Sequence, residues 1–126
     1  MKYLAEYMEA RQTELFKNTG TFFAFSNSQF MESRKEGKKY VSLGAGMICE
    51  KEHVKTLVDG LDLIYKESIE QDIKENGMEA IIIRELYNHE AFYTWEIEDT
   101  VDKLKDYPTT EEEIAIVFRQ EAAKQD

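Results

Sequence analysis

The sequence predicts an α+β fold in one domain, with a small two- to three-stranded antiparallel sheet covered by about five to six helices. Three observations carry that expectation. Two short stretches rich in aromatic and β-branched residues, 21–25 and 39–43, lie in the first third of the chain between turn-forming residues. From Glu52 onward the apolar period lengthens from two to about 3.6 residues. The later half then carries helix boundaries at Asn76-Gly77, Pro108 and Thr110.

Residues 2–18 come first, with Leu4, Met8, Arg11 and Leu15 on one stripe, Tyr7 and Phe16 beside it, and Gly20 at the exit. This is the pattern of an amphipathic helix with a glycine C-terminal cap. Residues 21–25 read as a strand, and Ser26-Asn27-Ser28 then caps a helix of one or two turns carrying Phe30 and Met31. Residues 39–43 alternate as a second strand. Gly44-Ala45-Gly46 makes a tight turn into a possible third strand over 47–49.

Residues 52–75 form the longest predicted helix, roughly 35 Å at 1.5 Å per residue, with Val54, Leu57, Val58, Leu61, Ile64, Tyr65, Ile69 and Ile73 on its apolar face. Residues 78–88 also read as helix rather than buried strand, because Glu79, Ala80, Arg84 and Glu85 flank Ile81-Ile82-Ile83. Residues 88–93 are expected to be a loop, and Thr94 to cap a short helix burying Ile97, Val101 and Leu104 before Pro108. Thr110 followed by Glu111-Glu112-Glu113 is a capping-box start for a last helix with Ile114, Val117 and Phe118 inside.

Composition removes several function classes. The chain has 126 residues, a formal net charge of −10 and 42% apolar side chains, which fits a folded domain rather than a disordered one. No apolar run approaches the roughly 20 residues of a membrane span, and Glu6 and Glu9 interrupt the start where a secretory signal would be apolar. The single Cys49 makes no internal disulfide, so a cytoplasmic location is expected.

Charge is unevenly spread. Residues 1–58 hold nine basic and seven acidic side chains, whereas residues 59–126 hold seven and nineteen, a net of −12. Direct nucleic-acid binding is therefore disfavoured by long-range electrostatics. The basic tract Arg34, Lys35, Lys38 and Lys39 is broken by Glu36 and reads as a solvated turn. Glu96, Glu98, Asp99, Asp102, Glu111, Glu112 and Glu113 crowd into eighteen residues. They form either a solubilising surface favoured at helix N-termini or a face that imitates nucleic acid toward a protein partner with a basic surface.

Chemistry-bearing residues concentrate in 84–95, where His89, one of two histidines, neighbours Glu90, Asn88 and Tyr93, with Trp95 close by. An imidazole beside a carboxylate suits proton transfer or ligand binding, and Arg84 is a candidate anion contact. Alternatively, His89 bonds a backbone carbonyl, and Phe92, Tyr93 and Trp95 fill the core. A zinc set of Cys49, His53, His89 and Glu90 requires two distant pairs to meet, so no metal and no cofactor is expected. No nucleophile elbow or phosphate-binding glycine loop occurs, so catalysis has no signature, and a homo-oligomer is left open.

The phrases Phe22-Phe23-Ala24-Phe25-Ser26-Asn27-Ser28-Gln29-Phe30, Tyr40-Val41-Ser42-Leu43-Gly44-Ala45-Gly46 and Glu85-Leu86-Tyr87-Asn88-His89-Glu90, with Tyr93-Thr94, resemble small proteins of unknown function encoded by phages and prophages of Gram-positive bacteria. The resemblance implies an accessory protein acting in the bacterial cytoplasm during infection, often of the kind that touches host metabolism or defence. It brings no established activity, and Asn88, His89, Glu90 and Tyr93 are its matching site candidates. Three functions compete: a non-enzymatic interaction protein, in one form an anti-defence inhibitor using its acidic face; a small-molecule or nucleotide binder or small enzyme centred on those four residues; and a purely structural virion or oligomer component, which needs only an exposed apolar face.

Overall fold

Strand β3 (Met47–Glu50) is the centre of the sheet, flanked by β1 (Phe22–Phe23) and β2 (Tyr40–Ser42), both antiparallel to it, in a computed structural model that describes residues 1–125. The two segments predicted as strands therefore share one sheet, but the third strand separates them. The hairpin dictates this. Gly44, Ala45 and Gly46 all take positive φ, the Met47 amide bonds the Gly44 carbonyl at 2.9 Å, and β2 is returned directly onto β3. Pairings Val41 with Cys49 and Phe22 with Ile48 fix the register.

The helices are α1 (Leu4–Thr19), α2 (Asn27–Ser33), α3 (Val54–Asn76), α4 (Met78–Asn88), α5 (Ala91–Thr94), α6 (Glu98–Lys103) and α7 (Glu111–Ala123), with one 3-10 turn at Lys51–His53. The α+β class stands. The described residues divide into two compact units, 2–68 and 69 onward, with α3 running from the first into the second.

In the first unit, α2 is joined to the sheet through aromatic rings. Phe22, Phe30 and Tyr40 lie 5.5 to 6.1 Å apart by centroid, two of the three contacts edge-on. That arrangement suits the ring quadrupole and contributes about 0.5–1.5 kcal/mol per pair beyond area burial. Ser26 accepts the Gln29 amide at 3.2 Å, as its capping position predicts. Helix α1 ends at Gly20, left-handed at φ 65°, where a Cβ would collide with the Glu50 carboxylate. Gly60, midway along the first part of α3, allows the Leu15 side chain of α1 to lie within van der Waals reach of the α3 backbone, and Arg11 pairs with Glu67 at 2.7 Å across the same two helices. Val58, predicted on the buried face, is instead exposed.

The second unit is helical. Ile81, Ile82 and Leu86 of α4 are buried with Ala91, Leu104, Tyr107, Ile114 and Phe118, so the helical reading of the isoleucine run holds. Thr110 caps α7 by accepting the Glu113 amide at 3.1 Å, with three carboxylates in the first turn favoured by the helix dipole. Thr94 does not cap α6; it closes α5, and Ile97 takes the capping position.

Candidate functional site

Helix α4 organises the second unit because one of its faces carries charge into the interior. Asp72 of α3 is fully buried, and its carboxylate accepts both terminal nitrogens of Arg84 at 2.8 and 3.0 Å, the Tyr107 hydroxyl at 2.6 Å and the Asn76 amide at 2.8 Å. Those bonds occupy essentially every lone pair a carboxylate offers. Burial alone would push Asp72 up; the bonds from Arg84, Tyr107 and Asn76 outweigh it and hold the carboxyl below its ordinary value. Burial and the Asp72 charge together raise the Tyr107 phenol. Burial opposes the Arg84 charge, but Asp72 and Glu85 overcome it and raise the guanidinium further.

The same arginine donates from Nε to Glu85 at 2.6 Å, and Thr100 donates to the Glu85 backbone carbonyl at 3.3 Å. Arg84, expected as a contact for an external anion, is therefore enclosed by two internal carboxylates. It clamps α3 to α4 rather than facing solvent. Sequence reasoning missed Asp72 and Tyr107 altogether. Asp72 had a signal: it lies three residues after Ile69 and four after Ser68 on the buried stripe of α3, where an ionisable side chain needs a partner.

His89 closes α4 with its Nε2 3.6 Å from Glu85 Oε1, and both atoms are buried without a hydrogen bond among the described residues. That separation is too long for a hydrogen bond. Glu90 then turns the chain at φ 56°, α5 follows, and Trp95 reverses it again at φ 61°. The expected loop is thus a helical turn bracketed by two left-handed residues. Glu90 and Trp95 lack the glycine or asparagine that usually occupies such positions, and a bulky side chain there stores about 1–3 kcal/mol.

The consequence is an exposed aromatic surface. Tyr93 is 88% and Trp95 70% exposed, which corrects the expectation that they fill the core; Phe92 is half-buried. Phe92 stacks on Phe118 at 5.2 Å and meets Tyr87 at 4.7 Å, while Trp95 stands edge-on to Phe118 at 5.5 Å. Tyr87, Glu90, Phe92 and Tyr93 line a cleft of about 310 Å³. Of the predicted cluster, only Glu90 and Tyr93 meet there. His89 turns inward to Glu85, and Asn88 is exposed at the end of α4.

The acidic residues Glu96, Glu98, Asp99, Asp102, Glu111, Glu112 and Glu113 are all exposed, and none is in an ion pair among the described residues. Their charge is available to solvent or to a partner.

In the first unit, the Cys49–His53 pair does not share a helix face, because Cys49 is in β3 and His53 in the 3-10 turn. The Cys49 thiol is fully buried and lies 3.3 Å from the Glu50 carbonyl. Lys38 bridges Glu52 at 3.2 Å and Glu50 at 3.3 Å beside a cleft of about 590 Å³ lined also by Lys39 and Lys51. Hydrogen bonds to Glu52 and Glu50 raise the Lys38 ammonium above its ordinary value. Glu50, Glu52 and His53 bring ligand-type atoms within 4.8 Å of one another, but the Lys38 ammonium bridges the two carboxylates and offsets one of their two charges.

Residues 4–124 match a family of unknown function designated DUF7659. The chain belongs to that family. The DUF7659 match begins with α1 and runs past the end of α7, so both units and the whole aromatic surface fall inside it. No curated protein and no solved structure matches this DUF7659 chain.

Proposed function

We propose that this protein is a non-enzymatic interaction protein whose second unit docks a basic partner through the aromatic and acidic surface around α5 and α6. The exposure of Tyr93 and Trp95 carries the reading. Tyrosine and tryptophan are enriched among the residues that dominate protein interfaces, and here both stand in solvent on a turn bracketed by two left-handed residues. Carboxylates at Glu90, Glu96, Glu98 and Asp99, in no ion pair among the described residues, adjoin the rings in sequence and supply a field that steers a cationic partner.

The phage and prophage resemblance supports an accessory role in the bacterial cytoplasm. A basic nucleic-acid groove of a host defence enzyme is then the kind of surface that an acidic, nucleic-acid-mimicking face inhibits. A small-molecule site built from Asn88, His89, Glu90 and Tyr93 is less well supported, because His89 and Asn88 do not line the cleft that Glu90 and Tyr93 share.

Affinity capture from a Gram-positive host lysate tests the reading. The wild-type chain should retain a basic protein at low salt and release it as salt rises, whereas a folded Tyr93→Ala/Trp95→Ala variant should not retain it. Identical captured proteins from both chains would refute it.

A further inference from the structure

Among the described residues, the cleft beside α5 has one charged group in its lining, the Glu90 carboxylate, and three aromatic side chains, Tyr87, Phe92 and Tyr93. Glu90 makes no ion pair among the described residues, and the Tyr93 hydroxyl is likewise without a hydrogen bond. At about 310 Å³ the space is at the small end of ligand sites, which run from roughly 300 to 1,000 Å³. It suits one side chain or one small ion. Aromatic faces attract cations through the ring quadrupole, and a single carboxylate among them selects positive charge over a neutral group.

We propose that this cleft receives the guanidinium of one arginine side chain from the partner, an inference that rests on the docking reading above. Arginine fits better than an ammonium ion for a geometric reason. Tyr87 and Phe92 lie against each other at 4.7 Å and 45°, so they make one tilted wall rather than the separate sides of an enclosing box. A flat guanidinium stacks on such a wall while its N–H fork bonds a carboxylate in two places. A quaternary ammonium needs rings around it and gains nothing from the fork. The left-handed turn at Glu90 fixes where that carboxylate stands relative to Tyr93, three residues on. Bonding within the unit reinforces the wall, since Gln125 donates to the Tyr87 hydroxyl at 2.9 Å and Phe92 stacks on Phe118.

The test is an NMR shift titration of the full chain at low salt with a short glycine–serine peptide carrying one central arginine. The same peptide with citrulline, which keeps the shape and loses the charge, and tetramethylammonium are the comparators. Saturable shifts at Glu90, Phe92 and Tyr93 are expected with the arginine peptide and not with citrulline. Glu90→Gln should weaken the arginine peptide about tenfold, as loss of one charge-assisted contact implies, and Tyr93→Ala about threefold. Leu63→Ala, an exposed change in the other unit, should leave binding unchanged. Melting curves confirm that each variant is folded.

Equal shifts with arginine and citrulline peptides, or unchanged binding by folded Glu90→Gln, would overturn the proposal. Tighter binding of tetramethylammonium than of the arginine peptide would also overturn it, in favour of an alkylammonium ligand. The two readings fail separately. Partner capture that depends on Tyr93 and Trp95 without arginine binding removes only the cleft assignment, whereas arginine binding with capture indifferent to Tyr93 and Trp95 removes only the docking role.

Discussion

Replacing Tyr107 by Phe deletes one oxygen from the buried network and leaves the ring in place. That oxygen donates to Asp72 Oδ2 at 2.6 Å, so the loss is one hydrogen bond to an ionised acceptor, about 1.5–3 kcal/mol. For a chain of this length each kilocalorie shifts the midpoint by about 4 °C, which puts the expected fall in Tm at about 6–12 °C. The pH dependence is the sharper signature. Because the folded Asp72 carboxyl is held below its ordinary value near 3.9, its stabilising contribution is complete above about pH 4 and is lost as pH falls through the lower, folded value. Below that point Tyr107 bonds a neutral acid, and deleting its hydroxyl should cost only about 0.5–1.5 kcal/mol. Urea denaturation at pH 7 and at strongly acidic pH measures both costs. Trp95, the sole tryptophan, lies in the same unit and reports its unfolding by fluorescence. A cost that is the same at both pH values, or below about 0.5 kcal/mol at pH 7, would refute the assignment of Tyr107 as a partner of ionised Asp72.

Four further outcomes are expected. Thr110→Ala should destabilise the second unit by about 0.5–2 kcal/mol in urea titrations, since it strands the Glu113 amide. Gly60→Val should cost about 1–3 kcal/mol, because the added methyls displace Leu15 of α1; an unchanged midpoint would show that the two helices do not depend on close approach there. Glu90→Gly should raise stability by about 1 kcal/mol through relief of the left-handed strain, while abolishing the arginine-peptide shifts. Reversing Glu111, Glu112 and Glu113 to Lys should slow association with the captured partner and flatten its salt dependence. Its melting curve should show a loss of about 0.3–1 kcal/mol per cation at the α7 N-terminus.

Much of the fold was legible because the governing signals are local. The Thr110 cap, the Gly20 exit of α1 and the 3.6-residue period of α3 each depend on a few neighbouring residues, and each appears where the sequence placed it. Strand order was not local. The segments 21–25 and 39–43 read correctly as strands, but the decision that β3 separates them belongs to the geometry of a three-residue hairpin and to which edge β1 then finds open. The buried polar network was illegible for a related reason. Asp72, Arg84 and Tyr107 are separated by 12 and 23 residues, and no pattern in a helix announces that its acidic residue meets an arginine from the next helix and a tyrosine beyond the one after.

The candidate surface was legible as a place and not as a geometry. Residues 88–95 stand out by type, and the structure places exposed aromatic and acidic side chains there, with His89 turned in and Tyr93 and Trp95 turned out. This arrangement follows from backbone conformations that residue type does not signal. A left-handed turn at glycine or asparagine is readable in advance; at Glu90 and Trp95 it is not, because their intrinsic preferences run the other way and tertiary packing overrides them. Phe118 packs against both sides of this turn, taking the Phe92 ring face-on and the Trp95 ring edge-on. If the strain had no use, Gly at position 90 would form the same turn at lower energy. A glutamate there is what makes the cleft anionic, and the stability of Glu90→Gly set against its arginine binding measures how far stability and recognition oppose each other at this one residue.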